Sequence, residues 1–584
     1  MTTNILKKGL FAFSLLVGTT SCDMLEDEFY NPDKVTDPKF ELFFASSLQQ
    51  SHLFRMEYGP TYHYLRGFTK MMGIGVNPVF TDVKQFNEPV KTWTGWSGEP
   101  FNWDIFRKTN VQFSKDINAM HLLYKNMSEE DKASNKIYIL CSDVVKAYAF
   151  QRSTDLYDDI PYFQVGGAFQ EQFYAAFDSQ EAIYTDLLEK LANTVKELDG
   201  FEFATSGQKT KFTSNDILNG GDIDKWIRFA NSLRLRMAMR LCHVKPEVAK
   251  QIIKEVIADG RIVMETSQNI EFRERNKLNV YSELFYRGFD ERGWDLIAPK
   301  FYIQDLFNYH DKPGDTVDPR LYVIFQPNRD GEYIGFPVTQ VKSNTDAYLS
   351  QYYTPEQIDS IYKNDDAKIG AWDPSRLVTR YNRATFMNFD MDFPVIQAPE
   401  VLLLLAEAAV RWPGEFGSIN PAEYLKQAII SSSEFYYKLN TTNTYNESTV
   451  PDLQHVPASA RVKALDYDYL HKYVDFAATR FNSMNQLEKM NHLLHQKLIH
   501  YNILNPYEGF NEIRRLIKDN SGNLPITPMV NVYWCERFFY PSEEANNNAE
   551  NFEAVKHKNN YTTPVWWSGR TTYTLNPNAT VSLE

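Results

Sequence analysis

The chain has 584 residues with 61 basic against 75 acidic side chains, a formal charge of −14, and so lacks the basic footprint of a nucleic-acid binder. Hydrophobic residues at 43% and charged residues at 23% place it among globular rather than disordered chains, with a length that by itself suggests about four domains. Aromatic residues reach 15%, more than a core needs, while the low share of glycine and proline favours helices over a strand-and-turn architecture.

At the N-terminus, Lys7 and Lys8 precede an apolar run over 9–17, too short to cross a bilayer and right for a signal-peptide core. The sequence TTSC follows and resembles the cleavage box of bacterial lipoproteins, with Thr19 where leucine is usual. Residues 1–21 are therefore expected to be a lipoprotein signal peptide and Cys22 the lipidation site, carrying more than one acyl chain as stable anchoring requires. An ordinary secretory signal with an incidental cysteine is the alternative. Loss of 1–21 removes two lysines and leaves a charge of −16. Residues 22–38 then read as a lipidated tether. Its stretch DMLEDEFYN resembles the acidic export signals of surface lipoproteins in one group of Gram-negative bacteria, and equally suits a solvated linker.

From Phe40 onward helical periodicity dominates, and the spacing of apolar residues predicts helices over 103–125, 135–156, 179–199, 222–243, 247–259, 397–412, 421–438 and 482–503. The clearest is FDSQEAIYTDLLEKLANTVKEL, with Asp178 as expected N-cap, Glu181 in the capping-box position and Ile183, Leu187, Leu188, Leu191 and Val195 as its buried face. Long connections rich in aromatics, Asn and Asp fill 73–102, 270–395 and 440–466. Connections of that length are functional or hold small strands of their own.

The run NGGDIDKWIRFANSLRLRMAMRLCHV carries Arg228, Arg234, Arg236 and Arg240. At about 100° per residue these point four ways around the helix, and the apolar residues are spread as widely. The pattern predicts a helix enclosed by protein, its arginines paired with carboxylates and carbonyls. Downstream, QAPEVLLLLAEAAVRW is apolar apart from Glu400, Glu407 and its closing arginine. Two turns separate the two carboxylates, a spacing of about 10 Å that an inverting glycosidase could use, but partnership with buried arginines is the expected role.

His492 and His495, three apart with no third ligand in view, read as packed or solvated residues rather than a metal pair. Asp158 and Asp159 in DLYDDIPY offer oxygens suited to calcium and equally suit a turn before Pro161. Cys141, Cys242 and Cys535 lie far apart in apolar stretches and read as buried small hydrophobes. No GxxxxGK[ST], HExxH, GxSxG or EF-hand loop occurs, and GIGVNP at 73–78 breaks the dinucleotide pattern with a proline.

Taken together the motifs resemble the SusD/RagB family of nutrient-binding outer-membrane lipoproteins, specifically its second SusD-like subgroup. VVKAYAFQRSTDLYDDIPY (with Asp158 where glycine is usual), FDSQEAIYTDLLEKL, GDIDKWIRFANSLRLRMAMRL, DPRL, PEVLLLLAEAAVRW, HQKLIHYNILNPYEGFNEIRRL, RFFYPSEEANNNAENF and PVWW follow in family order to Trp567. The resemblance implies one mostly α binding domain over 39–584, with tetratricopeptide-like helix pairs, long irregular loops and few short strands. It implies no catalysis and no cofactor. It also implies a lid on a SusC-like TonB-dependent transporter, anchored to outer-membrane lipid and capturing oligosaccharide or peptide.

A sugar ligand asks for flat aromatic faces edged by polar side chains. KTWTGWSGEPFNW supplies Trp93 and Trp96 in a glycine-rich loop, whereas Trp103 begins a helix. Tyr333 and Phe336 in GEYIGFP, and Tyr352 and Tyr353 in SQYYTP, are further candidates. The alternatives are a peptide ligand held by backbone hydrogen bonds and, from another class, a surface glycoside hydrolase using a carboxylate pair.

Overall fold

The computed structural model describes residues 39–51, 105–106, 108–166, 174–272, 298–309, 316–328, 330–336, 342–358, 377–386, 391–442, 464–526, 534–560 and 562–572. Cys22, residues 73–78, Trp93, Trp96 and Trp103 lie outside them. The described helices of ten or more residues are α1 (Phe40–Ser51), α2 (Ser114–Lys125), α3 (Glu129–Tyr157), α4 (Gln180–Asp199), α5 (Ser206–Asn215), α6 (Ile223–Arg240), α7 (Pro246–Asp259), α8 (Ala398–Arg411), α9 (Pro421–Thr441), α10 (Tyr467–Asn482), α11 (Gln486–Tyr501) and α12 (Pro506–Leu516). All eight expected helices are present, although the first begins as a turn of π-helix over Lys108–Phe113 before α2.

Local chemistry sets the helix ends. Ser128 caps α3 and is followed by Glu129, Glu130 and Asp131, acids that suit the positive end of a helix. Asn485 and Glu488 close a capping box on α11. Pro246, Pro421 and Pro506 start α7, α9 and α12, where a missing N–H costs nothing. For α4 the expected cap is off by one. Ser179 accepts from the Ala182 N–H, while the Asp178 carboxylate is taken by the backbone N–H groups of Tyr162 and Phe163, each at 2.9 Å. Glu181 pairs outward with Lys245 at 2.6 Å. Helices α1, α5, α10 and α12 lie outside the eight expected ones; in α10, Asp466 is the cap and Leu470, Tyr473, Val474, Ala477 and Phe481 are buried at helical spacing.

The helices pack in neighbouring pairs, α3 with α4, α6 with α7, α8 with α9 and α11 with α12, and the pairs contact one another through α4–α6, α6–α8, α8–α11 and α9–α10. This is the tetratricopeptide-like, mostly α architecture. Helix α6 sits in its middle: every residue from Asn231 to Arg240 is buried. The turn leading into it is fixed by Asp216, whose carboxylate accepts from the N–H groups of Leu218, Asn219 and Gly221 and from Trp226 Nε1. Gly221 has φ +81° and lies so close to Thr213 that a Cβ would stand 2.3 Å from its hydroxyl.

Strands are short and paired antiparallel: β1 (Ile160–Pro161) with β2 (Phe177–Asp178), β3 (Ile270–Phe272) with β6 (Phe393–Ile396), and β4 (Phe325–Gln326) with β5 (Arg380–Tyr381). Among the described residues β3, β4 and β5 fall inside the long 270–395 connection and β6 straddles its end; Asp318 and Arg320 tie it down. Arg320 is bound to Asp318 in the DPRL motif and reaches Ser432 at 3.1 Å on α9. One large apolar core runs from Phe40 to Trp567. A smaller cluster forms around Ile334, Phe336, Tyr348, Leu349 and Tyr353.

Candidate functional site

Of the candidate aromatics over 333–353, Phe336 and Tyr353 belong to that smaller cluster and Tyr352 packs against it, whereas Tyr333 belongs to the large core. Residues 330–336 run between two backbone neighbours: Phe336 N–H donates to the Ala298 carbonyl at 2.8 Å, and Thr379 N–H to the Ile334 carbonyl at 2.9 Å. Gly335 permits the approach, since a Cβ there would stand 2.6 Å from Lys300 Cα. Tyr333 is 7% exposed, with its ring between the edges of Tyr309 and Tyr322, at centroid distances of 5.5 and 5.7 Å. Phe336 and Tyr353 are equally enclosed, and the Tyr353 hydroxyl donates to the Leu377 carbonyl. These three rings present no open face in this structure. Tyr352 is half-buried, its ring set against that of Tyr348 at 5.4 Å. Lys300 caps Tyr348, with Nζ 4.1 Å from the centroid. Among the described residues, the most exposed large rings are Phe163, Tyr174 and Tyr467, none of them a candidate from the sequence.

Glu400 and Glu407 were the carboxylates a hydrolase would need, and both are buried in a charge network. Arg236 grips Glu400 in a fork, Nε to Oε1 at 2.6 Å and Nη2 to Oε2 at 2.9 Å. Glu407 takes Arg515 and, at 2.8 Å, Lys497. Glu508 and Glu512 on α12 complete the network: Glu508 accepts from Arg240 Nη2 at 2.6 Å, and Glu512 is bound by Arg240, Lys497 and Arg515. Four cations, Arg236, Arg240, Lys497 and Arg515, thus face four carboxylates with essentially no exposure. Burial would raise Glu407, but Arg515 and Lys497 hold it well below the usual carboxylate range. Burial raises Glu400 against the pull of Arg236. The recess beside Glu400, lined by Pro394, Val395, Gln397, His500, Tyr501 and Asn505, has room for about one water molecule. An engaged, enclosed pair of this kind offers neither a free general acid nor space for a sugar ring.

The expected pairing of the α6 arginines is therefore observed. Arg228 pairs with Asp224, and Arg234 with Glu255. Asp158 and Asp159 face cations rather than an open cavity: Lys558 Nζ lies 2.8 Å from Asp158 and 2.7 Å from Asp159, and Asp158 also accepts from the Trp566 N–H at 2.8 Å. Asp158 has φ +69°, the reason glycine suits that position. His492 and His495 are packed, with burial pushing them down to about 3 and about 4. Among the described residues no group of three His, Cys, Asp or Glu side chains is arranged to hold a metal ion. The three cysteines there are free and buried, as expected.

A family profile, SusD-like, described as starch-binding and associating with the outer membrane, matches residues 76–522. A search among curated proteins gives no match. Among solved structures, the chain is similar to a SusD/RagB family protein from Bacteroides thetaiotaomicron, at 17% identity and a TM-score of 0.63 over 92% of this chain and 100% of that one. It is also similar to a chitin-binding protein, at 19% identity and a TM-score of 0.61 over 90% and 99% of the two chains. A SusD homologue from Bacteroides fragilis follows at 16% identity, with a TM-score of 0.60 over 90% and 99%. Among the described residues no helix is long and apolar enough to cross a membrane. With the helix pairs, the enclosed arginine helix and a profile match spanning most of its length, the chain belongs to the SusD/RagB family of outer-membrane-associated nutrient-binding proteins.

Proposed function

We propose that the protein captures an oligosaccharide at the cell surface and delivers it, as a lid, to a SusC-like TonB-dependent transporter. The match of a starch-binding profile to residues 76–522 carries this reading, and the likeness to a chitin-binding protein points to the same class of ligand. In this proposal Cys22 bears the acyl chains, 22–38 is the tether, and Trp93 and Trp96 offer ring faces to the C–H face of a pyranose. Tyr352 is a further, partly open candidate ring, while Tyr333, Phe336 and Tyr353 are enclosed.

Isothermal titration of the mature protein with maltooligosaccharides and chitooligosaccharides tests the ligand class. Trp96→Ala should weaken binding at least tenfold, about 1.4 kcal/mol; unchanged affinity would remove Trp96 from the site. A blank glycan array beside a specific peptide pulldown would transfer the cargo to peptides, and release of reducing ends from polysaccharide would make the protein a hydrolase.

A further inference from the structure

Asn219 and Gly220 form the one Asn–Gly pair in the sequence. They lie in the turn that leads into α6, Asn219 buried and Gly220 exposed. Gly220 has φ +63°, and no atom beyond its chain neighbours stands within 4 Å of the place a Cβ would take. An asparagine before glycine is open to attack by the next backbone nitrogen, because no side chain shields that nitrogen or resists the rotation the attack needs. The Asn219 amide is not held by bonds of its own, since Nδ2 is buried without a hydrogen-bond partner. The turn is what restrains the reaction. Gly220 N–H donates to the Asp216 carbonyl at 3.0 Å, and Asn219 N–H to Asp216 Oδ1 at 2.9 Å. The first of these bonds must open before the nitrogen can react, and it lies at an exposed turn, where local opening costs least.

We propose that Asn219 is a site of self-modification, at which opening of this turn lets the chain convert the side-chain amide to isoaspartate. Gly220 N gives its proton to hydroxide and bonds to Asn219 Cγ. The amide nitrogen leaves as ammonia, taking a proton from water and so returning the hydroxide. Water then opens the cyclic imide at either carbonyl, giving aspartate or, with the main chain rerouted through Cγ, isoaspartate. The reactants are the chain and water alone. Isoaspartate does not restore the turn, because the main chain has gained a methylene between 219 and 220. The Asn219 carbonyl that accepts from the Asp222 N–H at 3.3 Å becomes a free carboxylate. It stands beside the buried Asp216, whose oxygens hold the N–H groups of Leu218, Asn219 and Gly221 and Trp226 Nε1, and like charges in an enclosed site repel. The conversion therefore runs one way and loosens the start of the helix that carries Arg236 and Arg240.

The test incubates the intact folded protein at pH 8 and maps isoaspartate and aspartate by peptide mass spectrometry combined with isoaspartyl methyl-transfer labelling. Asn219 should be converted before any other asparagine, with isoaspartate exceeding aspartate. The rate should rise at least about tenfold in guanidinium chloride, where the turn no longer gates the attack. Aged wild-type protein should show a second, lower-melting transition that aged Asn219→Gln lacks. Another asparagine converted first in the folded protein, aspartate as the sole product, or an Asn219 still intact after about a hundred half-lives of the unfolded chain would overturn the proposal. The wild-type map decides it even if the variant fails to fold.

Discussion

Arg515 holds Glu407 and Glu512 at once, in a place where none of the three reaches solvent. Replacing it with methionine removes one charge from a balanced buried set, and the cost of unpaired buried carboxylates dominates any gain in apolar packing. Arg515→Met should therefore lose about 3–5 kcal/mol of stability in urea unfolding. The pair Lys136–Glu197, at 2.6 Å but with both side chains about half exposed, should contribute less than about 1 kcal/mol, so Lys136→Ala is the matched control. Asp158→Gly sets two effects against each other. It relieves a positive φ, about 1 kcal/mol, but removes the acceptor of the Trp566 N–H and the carboxylate partner of Arg537, and leaves Lys558 with Asp159 alone. The lost partners of a fully buried arginine outweigh the relief, so the variant should melt lower in calorimetry. At this scale the sequence showed that four arginines needed partners and offered Glu400 and Glu407; Glu400 takes Arg236, whereas Glu407 takes Arg515, Lys497 and Arg411 instead. The sequence did not reveal Glu508 and Glu512, because they lie some 270 positions downstream of Arg240 and only folding brings α12 against α6.

Among the elements, α11 carries His492 and His495, both half-buried, and His500, fully enclosed, and burial pushes them down to about 3, 4 and 3. Each is neutral when folded and takes a proton near pH 6.5 when unfolded, so the unfolded chain binds more protons as the medium is acidified. Stability from these groups is complete above pH 6.5 and is lost as pH falls toward 4. His243 has the opposite sign: lifted to about 9, it contributes below pH 6.5 and loses that contribution as pH rises through 9. A calorimetric pH series should show Tm falling from pH 6.5 to pH 4, and His492→Gln should flatten that slope; a slope unaltered by the substitution would count against the α11 account. Eight of the twelve described helices of ten or more residues were legible from periodicity, whereas α5, which buries only Phe212, leaves no apolar face to read. Its details depended on tertiary partners: Asp178 lost the cap of α4 to Ser179 because Tyr162 and Phe163 claim its carboxylate across β1 and β2. The described parts of the 270–395 connection hid β3, β4 and β5 and the start of β6, since two to four residues leave no readable alternation.

For the whole molecule, the residues that made the sequence look like its family are the ones that hold it together. GDIDKWIRFANSLRLRMAMRL, PEVLLLLAEAAVRW and NEIRRL meet in one buried network, and PVWW reaches the same interior through Trp567 Nε1, 2.9 Å from Asp155. Scaffold motifs are legible because packing restricts them; a ligand surface answers only to its ligand. That explains why Tyr333, Phe336 and Tyr353, named as candidates for their aromatic character, pack inward. If Cys22 is acylated, Cys22→Ser should release the protein from the membrane fraction, and an unmodified N-terminus in wild-type material would contradict the anchor. The central claim is capture of a glycan by a member of this family. Its most direct test is titration calorimetry of the purified mature protein with maltooligosaccharides and chitooligosaccharides: saturable binding of one series, weakened at least tenfold by Trp96→Ala, is the predicted result, and no heat from either series alongside specific binding of peptides would contradict it.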